Sequence, residues 1–220
     1  TNFDPSNEGS AIAVDAQDGS EQWRTRLEAD GDHGRALVDD LFVVAHSEEL
    51  VALDRLTGDV VWRRPFNESN PTAGNYLPEL IAVDDRSGLV VVPHRDGLEA
   101  FRAADGEPHW ETAEVSRPRV TPAIHDGTVY AVGRINGTDN LVAFDLDDGT
   151  TRWTRALANP STSADPVVTE RGVFVVDGNT LGIHDRQTGD RNSEIRLFEP
   201  GESLNTTVAV DRGTAFVAND

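Results

Sequence analysis

The chain has 220 residues and is 37% hydrophobic, enough for one or two domains with a sizeable core. No run approaches the roughly 20 apolar residues of a membrane span, and no cationic, apolar leader opens the chain at Thr1. The 19 basic residues are all Arg and face 39 acidic ones, a net charge of −20 that makes nucleic acid and anionic membrane surfaces poor partners; with no Cys, disulfides and thiolate metal sites are excluded.

Residues 1–10 are polar, with Pro5 and Gly9, and read as a tail or loop. Ala11 to Trp23, AIAVDAQDGSEQW, is a first hairpin: an apolar run ends in Asp15, a turn follows at Gly19, and a short run carries Trp23. A second kind of hairpin comes next, with Arg35–Leu37 and Leu41–Ala45 joined through Val38-Asp39-Asp40. The first kind returns from Leu50 to Trp62 with Asp54 and Gly58, and the second at Leu80–Val83 and Leu89–Val92. Leu98 to Trp110 keeps Gly106 but has Arg102 in place of the Asp. Thr121–Ile124 and Val129–Val132 lead to Leu141–Trp153, LVAFDLDDGTTRW, the most regular copy, with Asp145 and Gly149. Pro166–Val168 and Val173–Val176 precede Leu181–Ser193, where Asp185 and Gly189 are kept and Ser193 replaces the Trp. Thr207–Val210 and Ala215–Val217 close the series.

The Trp residues are 39, 48 and 43 positions apart, and Ser193 follows the last by 40. A period near forty, made of two hairpins in alternation, predicts an all-β chain of β-propeller blades, each with four antiparallel strands. Residues 11–220 read as a single propeller domain of about five blades. The chain opens on a third-and-fourth-strand hairpin and closes on a first-and-second-strand hairpin. Pairing of these halves would complete a fifth blade and close the ring; the alternative is part of a larger propeller. An initial Met is missing, which reads as a mature chain or an excerpt.

Asp15, Asp54, Asp145 and Asp185 recur at one place in one hairpin, which favours turn-closing carboxylates over catalytic or metal-binding ones. Each turn glycine supplies a positive φ. His46, His94 and Asp177 hold equivalent positions before Leu50, Leu98 and Leu181, and mark a candidate surface site on one face of the ring. Asp145 to Gly149 resembles the start of a calcium loop but lacks its twelfth-position Glu. Ser161-Thr162-Ser163 is a loop without a visible base. No catalytic residue and no metal ligand is assigned. Three N-glycosylation triplets start at Asn67, Asn136 and Asn205 and tilt the reading towards export.

The unit that ends in L-x-A-x-D-x-x-T/D-G-x-x-x-W, seen at Leu50–Trp62 with Thr57-Gly58, resembles the blade repeat of the pyrroloquinoline-quinone (PQQ)-like β-propeller family. The resemblance covers Ala11 to Asp220. It implies that Trp23, Trp62, Trp110 and Trp153 dock on adjacent blades. It also implies a choice of functions, since the family holds quinoprotein dehydrogenases, outer-membrane assembly scaffolds and sensor domains. The quinoproteins stack PQQ between a Trp and an adjacent-Cys disulfide and bind Ca²⁺ beside it; no residue here can be carried over to that site. The expectation is a non-catalytic binding or scaffold propeller, a monomer with no cofactor, taking a protein or small-molecule partner. The alternative is a partial or degenerate quinoprotein oxidoreductase domain with PQQ and Ca²⁺. The acidic, Lys-free composition resembles that of salt-loving archaeal proteins, and the expected place is extracellular or cell-surface, with the cytoplasm as alternative.

Overall fold

The computed structural model describes residues 9–27, 34–46, 49–66, 77, 80–118, 120–158, 164–197, 199 and 206–219. The tail at 1–8, the Asn67 and Asn205 positions and residues 161–163 lie outside the described residues. Among the described residues twenty strands follow in chain order: β1 (Ser10–Val14), β2 (Glu21–Arg26), β3 (Gly34–Val38), β4 (Leu41–Ala45), β5 (Glu49–Asp54), β6 (Val60–Pro65), β7 (Ala82–Asp84), β8 (Leu89–His94), β9 (Gly97–Arg102) and β10 (Pro108–Thr112). The second half gives β11 (Ala123–His125), β12 (Thr128–Ile135), β13 (Thr138–Asp145), β14 (Thr151–Ala156), β15 (Val167–Thr169), β16 (Gly172–Asp177), β17 (Thr180–His184), β18 (Arg191–Arg196), β19 (Thr206–Asp211) and β20 (Thr214–Asn219). Ser10, expected in the tail, is the first residue of β1. Among the described residues there is no α-helix.

Four sheets are four-stranded meanders in chain order, β3 to β6, β7 to β10, β11 to β14 and β15 to β18. This is the blade of a β-propeller, as the alternating hairpins predict. Among the described residues β1–β2 and β19–β20 are each a two-stranded sheet.

By contacts the chain divides into two compact units, Thr1–Val92 with Phe101–His109, and Pro93–Ala100 with Trp110–Asp220. In the first, β4 and β5 are apolar on both faces because each face meets a different core. Val43, Ala45, Leu50 and Ala52 join Phe66, Val90, Val92 and Phe101, while Val44, Val51 and Leu53 join Ala11, Leu27 and Trp23. Alternate residues of a strand point to opposite faces, so a continuous apolar run fits a sheet packed on both sides. The second unit repeats the scheme at β16. Val173 and Val175 pack with Tyr130, Leu141 and Trp153, whereas Phe174 and Val176 pack with Ala164 and Leu181.

The hairpin between the third and fourth strands is built alike in each described copy. In the most regular, Asp145 N donates to Thr150 O at 2.8 Å and Gly149 N donates to Asp145 O at 3.0 Å. Asp145 Oδ1 accepts Asp147 N at 2.8 Å. The register slips by one residue just before the Asp, between Ala143 and Phe144, and at the equivalent places in β1, β5 and β17. Such a bulge turns the strand end and sets the following turn. The Arg102 turn keeps the backbone bonds, with Arg102 N to Glu107 O at 2.9 Å and Gly106 N to Arg102 O at 2.8 Å. The loop is therefore made by backbone and glycine; the carboxylate adds to it.

Candidate functional site

Each Trp docks on the turn of the sheet that follows it. Trp23 Nε1 donates to Arg55 O at 3.0 Å, Trp62 to Ala103 O at 2.8 Å, Trp110 to Leu146 O at 2.7 Å and Trp153 to Arg186 O at 2.9 Å. The acceptor is in each case the residue after the Asp position. The ring lies flat on the turn glycine. A Cβ at Gly58, Gly106, Gly149 or Gly189 would sit 2.4–2.7 Å from a ring carbon of the docking Trp. These glycines also have φ between 71° and 76°. Two demands, a left-handed backbone and an uncovered face, thus fall on one residue.

The expected surface site at His46, His94 and Asp177 is not a surface for its two histidines. His46 and His94 are each 2% exposed. His46 Nε2 lies 3.3 Å from Glu49 Oε1, which also takes Arg63 at 2.5 Å. His94 Nε2 lies 3.7 Å from Glu111 Oε1, and burial pushes its imidazole below the ordinary 6.5 while Glu111 and Asp96 pull the other way. Asp177 ends β16 half-buried, where its Oδ2 accepts Ala158 N at 3.0 Å. The physical reason is the strand end: the turn between the second and third strands is short, so its polar residue is drawn inward and paired.

A different group of side chains meets in the second unit, at the turns between β11 and β12, β15 and β16, and β17 and β18. A cavity of about 260 Å³ is lined by His125, Asp126, Thr128, Tyr130, Arg152 and Arg186, with Gln187 at its side. Arg186 bridges two turns, with Nη1 3.2 Å from Asp126 Oδ2 and Nη2 3.0 Å from Glu170 Oε2. His125 Nε2 lies 3.3 Å from Asp126 Oδ2 and 3.6 Å from Glu170 Oε1. Across the cavity Arg152 holds Asp145 at 2.7 Å and bonds Thr128, and this guanidinium keeps the Asp145 carboxyl below its ordinary value. Burial raises the Tyr130 phenol, whose oxygen donates to Arg186 O at 3.3 Å.

Sequence reasoning missed this group because Glu170 lies 45 residues from His125, in hairpins treated as structural. The signal that could have found it is the repeat itself. His125 ends β11 and Glu170 follows β15, the first strands of successive sheets, so aligned hairpins bring their turns side by side.

Comparisons with known proteins fit these sheets. No curated protein matches the chain in sequence. BamB from Moraxella catarrhalis is 17% identical and superposes with a TM-score of 0.50 over 97% of this chain and 77% of that one. The quinohemoprotein alcohol dehydrogenase from Comamonas testosteroni, also 17% identical, gives 0.64 over 87% of this chain and 40% of that one. KlHsv2 with loop 6CD replaced by a Gly-Ser linker gives 0.67 at 12% identity, over 94% of this chain and 67% of that one. At such identities the likeness is one of fold, the β-propeller. The chain spans about two-fifths of the dehydrogenase's length. Residues 7–220 match the family described as outer membrane protein assembly factor BamB, and the chain belongs to this family of PQQ-like repeat propellers.

Proposed function

We propose that the chain is a non-catalytic binding or scaffold propeller that takes part in protein assembly, exported or displayed at the cell surface of a salt-adapted organism. The observation that carries this reading is the engagement of the tryptophans. All four rings lie on turn glycines, and all four indole N–H groups are held by turn carbonyls. A quinone site of the family's kind needs a Trp platform and an adjacent Cys pair. Here every Trp is engaged and the chain has no Cys, so the residues present do not fit PQQ. Membership in the BamB family supports an assembly role. Export is supported by the Asn136 triplet, which sits exposed in the β12–β13 turn where a glycan would have room.

Reconstitution tests the reading. PQQ and Ca²⁺ are added to the folded protein in high salt, and quenching of cofactor fluorescence and dye reduction with simple alcohols and sugars are followed. The expected result is neither quenching at micromolar PQQ nor turnover. Micromolar binding with dye reduction would replace the scaffold by a quinoprotein oxidoreductase domain.

A further inference from the structure

We propose that His125, Asp126 and Glu170 form a binding site for a divalent cation of the zinc class, with Arg186 as the positioning residue behind the two carboxylates. The ligating atoms of the three side chains all lie within 4.8 Å of one another. A tetrahedral ion with ligand bonds of about 2.0–2.2 Å holds neighbouring ligand atoms roughly 3.3–3.6 Å apart. His125 Nε2 stands 3.3 Å from Asp126 Oδ2 and 3.6 Å from Glu170 Oε1. Octahedral Mg²⁺, with bonds of about 2.0–2.1 Å, would bring ligand atoms to roughly 2.9 Å, and it prefers oxygen. An imidazole with two carboxylates suits zinc and its neighbours instead.

A second observation points to the same ion. His125 Nε2 is shut off from solvent yet makes no hydrogen bond of acceptable geometry, although it faces two carboxylates. A buried nitrogen in that condition calls for an unseen partner, and a cation between it and the two oxygens is one.

The ion pair alone is a feature of the repeat. In the first unit Arg55, at the place of Arg186, pairs with Asp40 of the first hairpin turn of its own sheet at 2.9 Å, as Arg186 pairs with Glu170. His125 and the contact of Arg186 with Asp126 of the preceding sheet are additions to that pattern. Arg186 takes Glu170 by Oε2 and leaves Oε1 turned to His125. It orients Glu170 as groups behind metal ligands do, and it shares with His125 the Oδ2 of Asp126. Two carboxylates against one guanidinium leave the cluster net negative, and the adjoining 260 Å³ cavity leaves room for a water or small ligand at a fourth position.

The site does not depend on the scaffold reading, and its test does not measure activity. The folded chain is titrated with Co²⁺, whose visible absorption reports tetrahedral coordination, and with Zn²⁺ by calorimetry. One ion per chain and a tetrahedral Co²⁺ spectrum are expected. His125→Ala and Glu170→Gln should each weaken binding by at least about tenfold. His109→Ala, at an exposed histidine of β10, should leave it unchanged. Circular dichroism checks that each variant is folded. Absence of the tetrahedral spectrum in the folded wild type overturns the site. So does binding that survives His125→Ala unchanged, which would mark the metal as a counterion of the acidic surface.

Discussion

Gly19 and Gly189 occupy the same place in two turns that the backbone builds alike. Gly19 N donates to Asp15 O at 2.8 Å and Gly189 N to Asp185 O at 2.9 Å, with φ of 75° and 71°. They differ in what lies above them. A Cβ at Gly189 would meet Trp153 at 2.4 Å, whereas among the described residues nothing lies within 4 Å of one at Gly19. The turn therefore needs glycine for its backbone everywhere, and needs it for space only where a Trp arrives from the preceding sheet. The repeat glycine is both a turn residue and half of a joint between successive sheets, and the two roles can be separated by mutation.

Removing the other half of the joint should have the largest effect. Trp153 is 8% exposed, packs on Tyr130 with ring centroids 5.9 Å apart and bonds Arg186 O. Trp153→Ala should cost about 3–5 kcal/mol, as large aromatic deletions do. Denaturant melts in high salt measure it, and a loss below about 1 kcal/mol would mean that the dock carries little of the stability.

The glycine pair gives the next effect. Alanine in a left-handed conformation costs about 1–2 kcal/mol, and both Gly19→Ala and Gly189→Ala incur that. Only Gly189→Ala adds overpacking against a ring that is itself held, about 1–3 kcal/mol more. In the Trp153→Ala background that addition should vanish, leaving Gly189→Ala no worse than Gly19→Ala; a double-mutant cycle reads the coupling. Equal losses in the two single variants would reduce the glycine to its turn role.

The contrast also shows what the chain's pattern could reveal. Period and alternation made the hairpins and the four-stranded sheets readable, because Leu141 to Phe144 or Val173 to Val176 must be buried on both faces wherever they sit. The atoms a Trp meets were not readable, since Gly189 is 36 residues beyond Trp153 and its bare face exists only once the turn is folded. The histidines misled for a related reason. His46 and His94 look like turn residues, but whether a turn side chain points outward or in depends on its neighbours, here Glu49 and Glu111. His125 offered no local motif at all. Its partners, Asp126 next to it and Glu170 in the following sheet, become a group through the stacking of hairpins.

Salt should shift all variants together. With a net charge of −20 and no Lys, self-repulsion is screened only in strong salt, so the melting temperature of the wild type should fall by several degrees as salt is lowered. A ring on a glycine is not an ionic contact, and the gap between Gly19→Ala and Gly189→Ala should stay the same across the series. A gap that closes at low salt would show that charge, and not contact, separates the two turns.

The smallest effect belongs to the turn carboxylate, and acid reveals it. Backbone N–H groups of Thr188 and Gln187 donate to Asp185 Oδ1 at 2.9 Å and 2.8 Å. These bonds favour the ionised form and hold Asp185 below its ordinary 3.8. Because the folded value lies below the unfolded one, the contribution is complete above the unfolded 3.8 and is lost as pH falls through the folded value. Asp54 is lowered by the same kind of bonds, from Thr57 and Leu56, so the two turns should loosen over one acid range. Asp185→Asn keeps an acceptor oxygen in place but cannot titrate. It should lower the melting temperature at neutral pH by less than Gly189→Ala does, and should flatten the acid limb of melting temperature against pH. The Arg102 turn sets the lower bound, for it holds the same backbone bonds with no carboxylate at that place. An acid limb in Asp185→Asn as steep as in the wild type would assign the acid loss to other groups and leave Asp185 as a spectator of a turn that glycine and backbone make.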